Sequence, residues 1–204
     1  MTTGAVPYRA NDVSLPEAAL LRHPPGWWGM VWLCATEGML FACLIASYFF
    51  LRGSAVSFYA EGGHYPSLRL PLPMTAILLA SSATMWWGER GIKRGEQGRL
   101  RIGLAVTFVL GVLFLLLQAR EYHNNLLGPT VSAYHSIFYT TTGLHGAHVA
   151  LGLLMNAYVQ LRAWRGHFTM ERHLAVQNAG LYWHFVDGVW VVILTAFYLS
   201  PRLW

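Results

Sequence analysis

The sequence predicts an all-α integral membrane bundle of five transmembrane helices, with its N-terminus inside and its C-terminus outside. Three observations carry that prediction. The 204-residue chain is 55% hydrophobic and only 11% charged, whereas a soluble domain carries about a quarter charged residues. Its apolar residues gather into five runs, each near the ~20 residues that a helix needs to cross the hydrocarbon. Its Lys and Arg residues segregate to alternate connections, and that asymmetry sets orientation. The length leaves room for one membrane domain, residues 27–204, behind a cytoplasmic tail at residues 1–26. A net charge of +5 does not point to nucleic acid. The cations lie in short connections, where topology and anionic lipid headgroups account for them.

The tail contains Pro7, Pro16, Pro24 and Pro25 and no apolar core. It resembles neither a secretory signal nor an Arg-rich, acid-poor transit peptide, and the first apolar run is too long for a signal segment, so that run is expected to stay in the mature protein. That first run is Trp27–Leu51. Its Cys34 and Cys43 are nine residues apart, or roughly 13.5 Å along a helix, and a disulfide tolerates at most about 7 Å between Cα atoms. They are read as packing residues. The second run, Pro73–Trp87 extending to Gly91, starts at the Pro71 and Pro73 pair expected of a helix N-terminus. Ser81, Ser82 and Thr84 dilute it, which suits a helix packed closely on neighbours with its hydroxyls back-bonded to its own carbonyls. The third run is Ile102–Glu121, the fourth Tyr134–Gln160 and the fifth Ala179–Leu199. Gly143, Gly146 and Gly152 thin the fourth so that another backbone can approach, and Gly188 is expected to do the same for the fifth. Ten of the fourteen Lys and Arg residues fall in the tail and in the second and fourth connections, which gives N-in, C-out. Trp27, Trp28, Trp86, Trp87, Trp164 and Trp204 stand near run ends, where amphipathic rings settle at the interface.

Three runs carry ionisable groups well inside, where such groups are costly and need a partner or a task. Glu37, His148 and Asp187 lie at depths of roughly 15, 18 and 12 Å from the inner face, counted at helical rise. If their helices pack together, these side chains can meet. His145 shares a helix face with His148, as His184 does with Asp187, and Trp183 neighbours Asp187 at i+4. A metal reading uses the same residues, because His-x-x-His, His-x-x-Asp and Glu37 are ligand types for zinc or non-haem iron. No Glu-x-x-His pair accompanies them, and aromatic residues crowd the same segments. The alternative is an interhelical hydrogen-bond network in which His184 and Asp187 satisfy each other and Glu37 is protonated or paired. The network is the favoured reading, with no metal bound. Haem ligation through two axial histidines is favoured less. Glu121, near the outer end of the third run, reads as a solvated interface acid. His23, His167 and His173 read as ordinary loop residues on the inner surface, with proton buffering a weaker alternative.

Those segments resemble a known family. Tyr182-Trp183-His184-Phe185-Val186-Asp187, followed by Val189-Trp190, is similar to the signature of subunit III of haem-copper oxidases. Thr142-Gly143-Leu144-His145-Gly146-Ala147-His148-Val149, with Gly152, resembles that family's fourth-span segment. Leu110-Gly111, Phe114, Gln118 and Glu121-Tyr122 resemble its third span, Leu78-Leu79-Ala80-Ser81-Ser82 its second, and Glu37 with Phe41 its first. The likeness runs from Trp27 to Leu199 and fits the five-span bacterial form, without the two N-terminal helices of longer members. Met74 stands where the family usually has asparagine before the second-span threonine, and Gly188 where it has valine.

The resemblance implies a subunit with no catalytic residue and no haem or copper of its own. Those groups reside in the partner subunits I and II, in a bacterial inner membrane. It further implies bound phospholipid and support of proton uptake and lasting turnover. Glu37 matches a buried carboxylate associated with carbodiimide modification. Arg90, Arg94, Arg162 and Arg172 are expected to hold lipid headgroups on the inner side. A subunit of a quinol oxidase or nitric oxide reductase is the near alternative, since other subunits read the electron donor. A standalone intramembrane metalloenzyme is the alternative of another class.

Overall fold

A computed structural model of the chain describes residues 24–54, 68–124 and 130–203. Those residues form five long helices: α1 (Pro25–Ser54), α2 (Pro71–Lys93), α3 (Gln97–Asn124), α4 (Ala133–Trp164) and α5 (Leu174–Ile193). α5 continues through a π-helical stretch, Leu194–Leu199, into a last turn, α6 (Ser200–Leu203). No strand occurs among the described residues. The first four expected apolar runs each lie inside one longer helix, and the fifth, Ala179–Leu199, runs from α5 through the π-helical stretch. Three stretches, Pro25–Ser54, Gln97–Asn124 and Leu174–Arg202, are long and apolar enough to cross a membrane by themselves. The tail before Pro24, with Arg9, Arg22 and His23, lies outside the described residues, as does Trp204. Both cysteines are unbridged, as their spacing requires.

The helix ends follow local rules. Pro71 opens α2 at its first position, where a missing N–H costs nothing. α2 closes on Gly95, whose φ of +79° favours a residue without a Cβ. The N–H of Gly95 reaches the Ile92 carbonyl and that of Glu96 reaches Gly91, which satisfies two orphan carbonyls of the last turn. α4 ends in the same way at Gly166, φ +72°, with Gly166 bonded to Ala163 and His167 to Arg162. Ser132 caps the start of α4 by accepting the His135 N–H at 3.3 Å. Pro201 has no N–H to return to the Phe197 carbonyl, and the wide π turn lies immediately before it. That turn brings Ala196, Phe197 and Tyr198 consecutively into the core.

α3 has the polarity of a membrane helix. Its buried stripe is Leu100, Gly103, Leu104, Thr107, Gly111, Phe114, Gln118 and Glu121, steps of three and four that return to one face. Small and polar residues fill much of that buried face, while Ile102, Val109 and Leu116 point outward, each more than half exposed. Water would penalise this arrangement and lipid does not. The small residues let backbones meet. A Cβ on Gly103 would stand 2.8 Å from both the Gly88 Cα and the Thr84 carbonyl oxygen, so α2 and α3 touch main chain to main chain. Beside that crossing the Thr84 and Thr107 hydroxyls lie 2.8 Å apart.

α5 is the hub, packing against α1, α2 and α4. Trp183, only 2% exposed, is its wedge. A Cβ on Gly111 of α3 would fall 2.6 Å from this ring, and one on Gly152 of α4 3.0 Å from it. Gly152 thus admits a side chain rather than a backbone. Gly146 faces Gln118 at 3.4 Å, and Gly143 has only ordinary contact, 3.8 Å from the Tyr122 hydroxyl. Gly188 departs from expectation, because nothing stands within 4 Å of where its Cβ would be. It opens onto the groove between α1 and α5. α1 is the most peripheral helix, burying only Phe41 and Tyr48.

These contacts separate two glycines of identical chemistry. Gly103→Ala should destabilise the bundle by about 1–3 kcal/mol through overpacking, read by thermal unfolding in detergent. Gly188→Ala should be neutral, or stabilising by up to ~1 kcal/mol through helix propensity. Equal effects at the two sites would contradict the packing described.

Candidate functional site

The buried polar groups form two separate pairings rather than one cluster. The first joins α1 to α4: Glu37 Oε2 lies 3.0 Å from His148 Nε2, with the glutamate side chain one-third exposed and the imidazole 9% exposed. The other imidazole nitrogen, Nδ1, is 2.8 Å from the Leu144 carbonyl oxygen. A carbonyl can only accept, so Nδ1 carries a hydrogen. One further proton then serves the Nε2···Oε2 axis, held as a charged pair or as carboxyl and neutral imidazole. Either arrangement has no net charge, which lowers its cost at membrane depth. Tyr182 extends the contact by donating to the His148 carbonyl at 3.3 Å. Phe41 sits edge-on to the His148 ring, 5.1 Å between centroids.

The second pairing joins α2 to α5. The Ser82 hydroxyl donates to Asp187 Oδ2. Its oxygen therefore accepts from His184 Nδ1, 2.9 Å away. The expected direct His184–Asp187 bond is replaced by a serine bridge. Residues at i and i+3 lie roughly parallel on a helix face, so a short hydroxyl from the facing helix spans them more readily than they reach each other. Asp187 is 5% exposed, and its Oδ1 has no partner among the described residues.

Two further residues take positions different from those expected. His145 is fully buried, and neither ring nitrogen has a hydrogen-bond partner among the described residues. It stacks on Trp190 at 5.2 Å and 30° and meets Phe114 edge-on at 5.8 Å. It is a packing ring rather than a member of the Glu37–His148 pair. Trp183 does not bond Asp187. Its indole N–H donates to Ser81 Oγ at 2.9 Å, and Trp190 repeats the device with Thr75 Oγ1, also at 2.9 Å. Ser81 and Thr84 back-bond to the carbonyls of Leu78 and Ser81 as expected. Ser82 instead turns outward to the neighbouring helix.

Glu121 is not a solvated interface acid. It is 9% exposed and accepts the Tyr198 hydroxyl at 3.0 Å. The π turn delivers that tyrosine to the interior of the bundle, and Pro201 is the one residue in the sequence that points to the turn. Sequence reasoning also missed the lock at the C-terminal end of α1. There Ser200 donates to the Ala196 carbonyl at 2.6 Å and accepts Arg52 Nη1 at 2.8 Å and the Tyr48 hydroxyl at 3.3 Å. Between α3 and α4, Gln118 Nε2 donates to the Thr142 carbonyl at 2.7 Å, and the Tyr122 hydroxyl meets Thr142 Oγ1 at 2.6 Å.

At the α2–α3 end, Arg90 lies 3.6 Å over the Trp86 ring, and Arg162 lies 5.3 Å from the Phe168 ring centre. Arg94 and Arg172 are exposed. Among the described residues, no three His, Cys, Asp or Glu side chains gather as a metal-binding group.

Apolar helices fastened by paired intramembrane polar groups define a helical membrane protein. The chain matches the family "Cytochrome c oxidase subunit III" over residues 26–201. It is 38% identical over 178 residues to "Probable cytochrome c oxidase subunit 3" of Mycobacterium tuberculosis, covering 83% of this chain and 84% of that protein. It is 35% identical over 172 residues to "Cytochrome c oxidase subunit 3" of a Synechocystis species, covering 84% and 74%. The Mus musculus protein of the same name is 32% identical over 179 residues, covering 84% and 68%. The chain belongs to the cytochrome c oxidase subunit III family.

The geometry makes two measurable demands. Ser82→Ala should cost about 1–3 kcal/mol, because it strips a partner from the buried Asp187 and another from the half-buried His184 at once. A double-mutant cycle of Glu37→Gln and His148→Phe should return a coupling of roughly 0.5–3 kcal/mol, measured by unfolding in detergent. Simple additivity would mean that the two side chains do not interact.

Proposed function

We propose that this chain is the non-redox third subunit of a respiratory haem-copper oxidase of the cytochrome c oxidase type. It spans the inner membrane of a bacterium five times, with residues 1–26 in the cytoplasm and the C-terminus outside. Subunits I and II are its partners and hold the haem and copper. Its own role is to buttress subunit I, hold phospholipid through Arg90, Arg94, Arg162 and Arg172, and sustain proton uptake and lasting turnover. The observation that carries this reading is the family match across nearly the whole helical region. The geometry supports it: Glu37 pairs with His148 and Asp187 with Ser82, so each of these intramembrane acids ties two helices together. The concentration of Lys and Arg in alternate connections supports the orientation.

Affinity capture of the chain from its own membranes should bring down a haem-containing partner visible by its absorption spectrum. Glu37→Ala should leave that spectrum intact while shortening the turnover lifetime of the captured complex. Capture without haem would remove the oxidase assignment. An unchanged lifetime would remove the role given to Glu37. Iron or zinc bound stoichiometrically by this polypeptide alone would favour the metalloenzyme reading instead.

A further inference from the structure

A groove of about 320 Å³ runs between the first three turns of α3 and the last turn of α4, lined by Gly98, Arg101, Ile102, Ala105, Val106 and Trp164. None of the residues of the two polar pairings and none of the four arginines assigned above lines it. Positions 98, 102 and 105 recur at helical spacing on one face of α3. From Gly98 to Val106 the helix rises about 12 Å, most of the ~15 Å hydrocarbon depth of one leaflet. Ile102 is 58% and Trp164 65% exposed, so the groove is open to whatever surrounds the bundle.

One end of the groove is charged, and the rest is not. Arg101 is anchored by donating Nε–H to the Ala163 carbonyl at 3.1 Å and Nη2–H to Gln97 Oε1 at 3.2 Å. A guanidinium has five N–H donors in a planar fork, so this one is held in place with donors still unused. No acid lines the groove, and none lies in the first turn of α3. Glu96, just before that turn, is paired with Arg99 at 2.6 Å, and Arg99 packs toward Gly91 of α2 instead. Nothing stands within 4 Å of where a Gly98 Cβ would be, so the positive end of the α3 dipole is open to an anion.

We propose that this α3–α4 groove binds one anionic glycerophospholipid, with its phosphate on Arg101 over the start of α3 and an acyl chain along Ile102, Ala105 and Val106. Trp164 stands at the headgroup level, where indoles settle. The charge of the site complements the phosphate, and the apolar floor complements the chain. A planar guanidinium suits two phosphate oxygens at once. The inference rests on the membrane-embedded reading above and names a lipid site that the four surface arginines do not include.

The test is native mass spectrometry of the full chain, purified from its own membranes with any partners it carries and titrated with phosphatidylglycerol. Phosphatidylcholine and inorganic phosphate serve as separate probes. One phosphatidylglycerol should bind more tightly than phosphatidylcholine. Arg101→Ala should weaken it about tenfold, the size expected for losing a charged hydrogen bond. Ala105→Phe fills the groove without touching Arg101 and should also weaken binding. It guards against Arg101→Ala acting through loss of the Ala163 contact. Wild-type retention of phosphatidylglycerol in both variants would overturn the proposal, as would inorganic phosphate binding as tightly as the lipid. Capture of the haem-containing partner is scored on the same variants. Failure of lipid binding with that partner still present sinks the groove alone and leaves the proposed function standing.

Discussion

Hydrocarbon offers no water to a polar group, so a donor or acceptor taken out of solvent gains by being answered from within the bundle, and the His145 ring nitrogens and Asp187 Oδ1 are exceptions among the described residues. That constraint accounts for the form of α5. Its indole N–H groups end on Ser81 and Thr75, its Asp187 on Ser82 and its Tyr198 on Glu121. α2 therefore acts as a ladder of hydroxyls, with Thr75, Ser81 and Ser82 opposite groups on the hub and Thr84 opposite Thr107 of α3. A run that looks diluted by serine and threonine when read alone is the complement of a neighbour that carries two tryptophans and an aspartate.

Packing obeys the same constraint from the apolar side. Lipid is as greasy as leucine and gives helices no reason to associate through leucine. Association comes instead from close approach, and the glycines mark where it occurs: Gly103 against Gly88 for the α2–α3 backbone contact, and Gly111 with Gly152 around the Trp183 ring. The outward faces of α1 and α3 carry large apolar residues because nothing else suits acyl chains. Glu37 is the exception on α1. It is tolerated because His148 meets it and the pair is neutral as a unit.

Much of the fold was legible. Five apolar runs became five helices, Pro71 opened α2, and the two cysteines stayed apart. The candidate site was legible in composition and only partly in connection. Glu37 and His148 were expected at matching depths and do meet. Asp187 was expected at the same depth and points to a different helix. Counting residues along a helix gives its height in the membrane, but the direction of a side chain around the axis depends on which helix lies beside it. For that reason His145, one turn from His148, ended among aromatic rings instead of in the pair.

The amino-acid order alone determined that this chain is helical, where along it the five helices fall, and which family its segments resemble. Each of these follows from local quantities: hydropathy, periodicity and the identity of neighbouring residues. Only the tertiary structure decided that Ser82 stands between His184 and Asp187, that Tyr198 reaches Glu121 through a π turn, and that Gly188 faces open space. Those outcomes depend on the rotation and crossing of whole helices, which are set by contacts between residues far apart in the chain.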